Sequence, residues 1–192
     1  TLSNFAYTQE LDTAFDAAPD TVHAAYDTIN QEAERLYNRG ISNFEKRNLA
    51  AALINFNDAI TLKPDFANAY YNRGSVRYEM KNYKGAINDY DKTIELSTSS
   101  GLPGSEGNWT GEQMSNAYFS RGRAKYVLKD KEGALLDYSY AIKNNPKHAR
   151  AYYYRGGIKF ERRDYKGALN DFTMAMKIKP DYAYAYNDRG SA

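Results

Sequence analysis

The chain has 192 residues, with 26 Lys+Arg against 24 Asp+Glu, and its net charge of +2 offers no electrostatic case for a polyanionic partner such as nucleic acid. It contains no cysteine, which excludes disulfides and thiolate metal sites, and no apolar run long enough to span a bilayer. Its 19 tyrosines are the unusual feature of the composition and call for a use.

In residues 1–19, Tyr7, Leu11, Ala14, Phe15 and Ala18 keep helical spacing up to Pro19, and Asp20 is placed to cap the next helix. From Val22 through Ala25, Tyr26, Ile29, Ala33, Leu36 and Tyr37 to Gly40 the apolar phase is unbroken, which predicts one long helix, or two in register, from residue 21 to about 46. Residues 1–32 are expected to be an N-terminal helical cap or a degenerate repeat, with a segment folded back into a groove as the alternative.

A repeated unit then takes over. Gly40, Gly74, Gly122, Gly156 and Gly190 each follow an arginine, at intervals of 34, 48, 34 and 34 residues. Aligned on these glycines, a second set of positions superposes as Ala52/Phe56/Ala59/Pro64, Ala86/Tyr90/Thr93/Thr98, Ala134/Tyr138/Ala141/Pro146 and Ala168/Phe172/Ala175/Pro180. Each unit reads as two short helices, ended by proline in all but the second, and is too small to bury both faces unless it stacks on its neighbours. The units occupy about 33–66, 67–100, 115–148 and 149–182, and a fifth starts at 183. The glycine- and serine-rich stretch 97–114, with the single tryptophan Trp109 and an Asn108-Trp109-Thr110 triplet, is expected to be an inserted loop. A solenoid ending mid-unit at 192 implies either a longer natural chain or an end covered by another molecule.

Small residues at Gly40, Gly74, Gly122 and Gly156 are expected to face Ala52, Ala86, Ala134 and Ala168, where the paired helices cross closely. Arg73, Arg121 and Arg155 each precede an aspartate by 16 residues (Asp89, Asp137, Asp171), a spacing that antiparallel helices would convert into Arg–carboxylate bridges. At the matching place Arg39 meets only Asn55.

The pattern resembles the tetratricopeptide repeat, departing from it in the arginine before each glycine, where the family usually has leucine, and in Thr93 and Thr98. The resemblance implies an all-α, right-handed solenoid whose first helices line a concave groove for peptide segments. Carried over residue by residue, the groove comprises Tyr37, Asn38, Ile41 and Phe44 from the first repeat and Tyr71, Asn72, Ser75 and Tyr78 from the second. The third supplies Phe119, Arg123 and Tyr126, and the fourth Arg150, Tyr153, Tyr154 and Phe160. Each repeat thereby puts two rings seven positions apart on that face, and tyrosine joins contact area to a polar tip. Glu34, Glu45 and Glu79 lie towards one end and Arg123 and Arg150 towards the other, a polarity that would suit a dipolar peptide. The basic clamp with which some relatives hold chaperone tails is missing. Its positions are Tyr37, Ile41, Asn72, Asn116 and Ser120 in one frame and Tyr71, Ser75, Ser120, Arg150 and Tyr154 in the next.

His23 and His148 fall in different units, and neither a nucleophile elbow nor a zinc-binding helix motif occurs. The expected role is therefore a non-enzymatic scaffold for a segment of another protein, without cofactor or metal. Assembly with a second copy through the unfinished repeat is the alternative, and stacking of single-stranded RNA on the rings a third reading. The expected setting is soluble, a bacterial cytoplasm or periplasm.

Overall fold

The computed structural model describes residues 19–98 and 109–180. Every regular element among them is an α-helix: α1 (Pro19–Glu45), α2 (Leu49–Leu62), α3 (Ala67–Glu79), α4 (Tyr83–Thr98), α5 (Gly111–Val127), α6 (Lys131–Asn144), α7 (Ala149–Glu161) and α8 (Tyr165–Ile178). They pair as hairpins, α1 with α2, α3 with α4, α5 with α6 and α7 with α8. Residues 1–64, with α1 and α2, form one compact unit, and 65–192, with α3 to α8, form another. Within the second unit α4 packs on α5 and α6 on α7, so successive hairpins stack as in a solenoid. The expected helix in 1–18 and the unfinished repeat from 183 lie outside the described residues. Among the described residues no helix is long and apolar enough to cross a membrane.

The four intra-hairpin turns repeat one device. Their middle residues, Arg47, Lys81, Lys129 and Arg163, all take left-handed backbone, with φ of 61°, 62°, 69° and 65°. This conformation breaks the helix and reverses the chain. The next residue then caps the second helix: the backbone N–H groups of Ala51, Gly85, Gly133 and Gly167 donate to the side chains of Asn48, Asn82, Asp130 and Asp164. Proline sets the far end. Helices α2, α6 and α8 stop two residues before Pro64, Pro146 and Pro180, whereas α4, with Thr98 in that place, runs on to Thr98 itself.

Two expectations about the chain's course need correction. Asp20 lies inside α1 rather than capping it, because the helix already includes Pro19. The inserted loop is shorter than 97–114: Ser97 and Thr98 belong to α4, and α5 begins at Gly111. Its early start is fixed by a capping box, in which the Gln113 N–H donates to the Thr110 hydroxyl and the Thr110 N–H donates to the Gln113 side chain. The small residues lie where the paired helices cross. Ala52, Ala86, Ala134 and Ala168 are fully buried. A Cβ on Gly40, Gly74, Gly122 or Gly156 would fall 2.6, 2.9, 2.9 and 2.8 Å from the rings of Phe56, Tyr90, Tyr138 and Phe172. The ring stands one turn beyond the alanine on the second helix and reaches back across the crossing.

The buried charges recur with the same period. Asp89, Asp137 and Asp171 are 2%, 0% and 0% exposed. Each carboxylate accepts two N–H groups from one guanidinium, with Nη2 of Arg73, Arg121 and Arg155 at 2.6, 2.6 and 2.7 Å. A second cation, one turn after the arginine, completes the site: Arg77, Lys125 and Lys159 lie 2.8, 2.9 and 2.8 Å from the same carboxylates. Such groups remain buried only when fully paired. The arginines also tie hairpins together, since Arg121 reaches Asp91 at 2.6 Å and Arg155 donates to the Ser139 hydroxyl at 3.2 Å. In the first hairpin the network is neutral. Asn55 pairs with Asn43 at 2.8 Å rather than with Arg39, which is exposed.

Candidate functional site

The predicted groove residues separate into two rows by what they touch. The first row rests on the second helix of its own hairpin. Tyr37 meets Phe56, Tyr71 meets Tyr90, Phe119 meets Tyr138 and Tyr153 meets Phe172, with ring centroids 5.9, 5.8, 5.7 and 5.8 Å apart. Each second-helix ring is thus held between a glycine and a first-helix ring, so this row serves packing first. Tyr37, Tyr71 and Tyr153 keep part of their surface in solvent. Phe119 does not. It is 4% exposed, closed in by Tyr138, Tyr154 and His148, and offers a guest almost nothing.

The second row, Phe44, Tyr78, Tyr126 and Phe160, is half-buried. Tyr78 and Phe160 make edge contacts with Tyr83 and Tyr165 across their turns, at 5.2 and 5.5 Å. Tyr126 instead reaches the next hairpin and donates its hydroxyl to Glu161 Oε1 at 2.7 Å; that bond to an anion, helped by burial, pushes the phenol up to about 12. Glu161 also accepts Lys131 at 2.8 Å, and these bonds hold its carboxyl below its ordinary value.

The polar members follow the same division. In the second unit Ser75 is half-buried and donates to the Tyr71 carbonyl at 3.1 Å, and Asn72 is half-buried on the same helix. The Arg123 guanidinium lies 4.6 Å from the centre of the Tyr78 ring, joining α5 to α3. Arg150 is exposed and stands 4.9 Å from the Phe119 ring, while Tyr154 packs among Phe119, Tyr138 and Tyr153. Side-chain contacts at these positions therefore link α3 to α5 and α5 to α7 within 65–192. In the first unit, Asn38 is exposed on α1 and Ile41 is half-buried beside it.

His148 was outside the predicted set. Its Nδ1 accepts the Ala151 N–H at 3.1 Å and caps α7, and its ring lies 4.7 Å from Phe119. Burial, with Arg150 nearby, lowers its pKa from the ordinary 6.5. The unfolded chain then takes up the proton before the folded one, so stability falls as the pH drops below about 6.5. Protonation also removes the acceptor at Nδ1. Urea unfolding of the wild type should weaken between pH 7 and pH 5.5 more than that of His148→Asn, which keeps a capping oxygen without titrating; parallel pH profiles would refute the role.

Tyr90 and Tyr138, named in the sequence only as aligned second-helix positions, are buried against the first row. Trp109 packs on Tyr71, with ring centroids 5.7 Å apart. Among the described residues no cluster of three or more histidines and carboxylates could hold a metal.

Three family profiles match the chain: "TPR repeat" over 40–81, and "Tetratricopeptide repeat" over 67–97 and over 115–191. No curated protein sequence gives a significant match. Among solved structures, the chain is similar to MamA, at 20% identity over 83% of this chain and 80% of that one, with a TM-score of 0.70. It is similar to a tetratricopeptide repeat protein from Parabacteroides merdae at 21% identity, over 81% and 56% of the two chains, with a TM-score of 0.66. It is also similar to the first TPR of Spaghetti (RPAP3) bound to the HSP90 peptide SRMEEVD, at 20% identity over 65% and 88%, with a TM-score of 0.54.

Proposed function

Since the chain belongs to the tetratricopeptide repeat family, we propose that it is a non-enzymatic scaffold that holds an extended segment of another protein against the inner positions of α3, α5 and α7. One observation carries this reading: on α3, α5 and α7 the rings of Tyr71, Tyr78, Tyr126, Tyr153 and Phe160 are only partly buried and keep some of their surface in solvent. Partly solvated aromatic rings beside hydrogen-bonding groups suit a surface that accepts a polypeptide. A similar structure, the first TPR of RPAP3, carries a bound peptide. The guest here is not a chaperone tail of that kind, because Tyr37, Ile41, Asn116 and Ser120 stand where the basic clamp would be.

The test is selection of binders from a displayed library of random peptides, followed by calorimetry. Replacing Tyr126 by alanine should weaken a selected peptide by roughly tenfold or more, the loss typical of truncating an interfacial tyrosine, with the melting temperature nearly kept. An empty selection, or an affinity unchanged by Tyr126→Ala in the folded protein, would contradict the reading.

A further inference from the structure

Gly156 and Gly157 are neighbours on α7, yet packing accounts for only one of them. A Cβ on Gly156 would strike the Phe172 ring at 2.8 Å, whereas a Cβ on Gly157 would meet no atom of the described residues within 4 Å. Glycine inside a helix costs stability relative to alanine, and at Gly157 no contact among the described residues requires it. The three sister positions, each directly after its repeat's glycine, carry the half-buried side chains of Ile41, Ser75 and Arg123.

Gly157 lies in the middle of the open face of α7. On one side of it Gly156 meets Phe172, and Tyr152 packs with Ala175 and Met176, all on α8. On the other, Ala151 and Ile158 join the cluster of Ala134, Tyr138 and Ala141 on α6. Helical geometry sets Gly157 between these two stripes, about 100° from Gly156 and from Ile158. Its neighbours on that face, at i−4, i−3 and i+3, are Tyr153, Tyr154 and Phe160, all half-buried. Tyr153 and Tyr154 meet edge to face at 5.5 Å, and Phe160 rests on Tyr165 at 5.5 Å. The charges nearest on the helix are already matched: Glu161 is bonded to Lys131 and Tyr126, and Arg155 and Lys159 to Asp171. Arg150 is two turns away and lies over Phe119.

We propose that the notch over Gly157, walled by Tyr153, Tyr154 and Phe160, is a specificity subsite for one large apolar side chain of the guest peptide; this rests on the peptide-binding reading above. Rings around a stretch of bare helix offer contact area and no open charge. A charged guest residue would lose its hydration there without a partner, and a small one would leave the notch unfilled.

The experiment uses peptides selected from a displayed random library on the intact protein. One position should be fixed as a large apolar residue such as Phe, Trp, Leu or Met. Changing it to alanine should weaken binding to the wild type by about tenfold, and far less to Gly157→Leu, whose side chain fills the notch. Gly157→Leu should itself weaken the parent peptide by about tenfold. Gly157→Ala should weaken it by about fourfold, the equivalent of one buried methyl group, while the melting temperature rises. A more stable protein that binds less well is a result no purely structural role for the glycine would give. Peptides with no fixed large apolar residue, or affinity unchanged or improved in both Gly157 variants, would overturn the subsite; the groove would stand if Tyr126→Ala still weakened those peptides. An empty selection would overturn both.

Discussion

Asp137→Ala should destabilise the α5–α6 hairpin by about 3 kcal/mol, the lower end of what breaking a buried charge pair costs. Asp137 is fully buried, and its removal leaves Arg121 and Lys125, 16% and 20% exposed, facing each other across the vacated carboxylate. Arg121 keeps Asp91, so Lys125 bears most of the loss. The first hairpin supplies the control. There Asn43 and Asn55 bond to each other and the arginine before the glycine is exposed. The double variant Lys125→Asn/Asp137→Asn copies that arrangement and should recover more than half of the stability lost in Asp137→Ala. Stacked repeats need not unfold in one step, so amide exchange in α5 and α6 is a better readout than a single melting temperature. Protection equal to wild type in Asp137→Ala would show that the buried triads contribute nothing.

Gly156→Leu should unfold the α7–α8 hairpin or destabilise it by more than about 3 kcal/mol, at or beyond the usual cost of overpacking a core. The first added carbon would sit 2.8 Å from Phe172 Cε1 and 3.2 Å from Asp171 Cβ, so the branch beyond it has nowhere to go. Phe172 cannot retreat, because Tyr153 covers its other side. The neighbouring Gly157 gives the opposite expectation. A Cβ added there would meet nothing within 4 Å, and Gly157→Ala should stabilise α7 by about 0.5–1 kcal/mol, the helical preference of alanine over glycine. Thermal and urea unfolding of the two variants, run side by side, decide the matter. Equal stability of Gly156→Leu and wild type would mean that the glycine–ring contact is not what fixes the hairpin crossing.

These two effects also mark how far the sequence could be read. The 34-residue period, the helix pairs and the Arg–Asp bridges follow from residue type and spacing alone, because each depends on contacts within one hairpin. That the ring one helical turn beyond each alanine comes nearest to the glycine is set by how deeply the two helices cross and not by spacing. Lys125 and Lys159 resembled ordinary solvated charges until the fold brought them onto buried carboxylates. Phe119 and Tyr153 occupy equivalent positions, yet only Phe119 is sealed, because His148 and Tyr154 close over it. That closure involves the following hairpin, which no pattern within one repeat records. The absence of proline at Thr98 was visible in the chain, but the extra residues it adds to α4 become apparent only in the structure.

The proposed surface can be located directly by titrating the isotopically labelled protein with a library-selected peptide and mapping the NMR shift changes onto its helices. The changes should fall on the inner positions of α3, α5 and α7, with Tyr78, Arg123, Tyr126 and Tyr154 foremost. Shifts confined to the exposed side chains of the second helices, such as Leu136, Tyr140 and Leu169, would place the guest elsewhere and contradict the account.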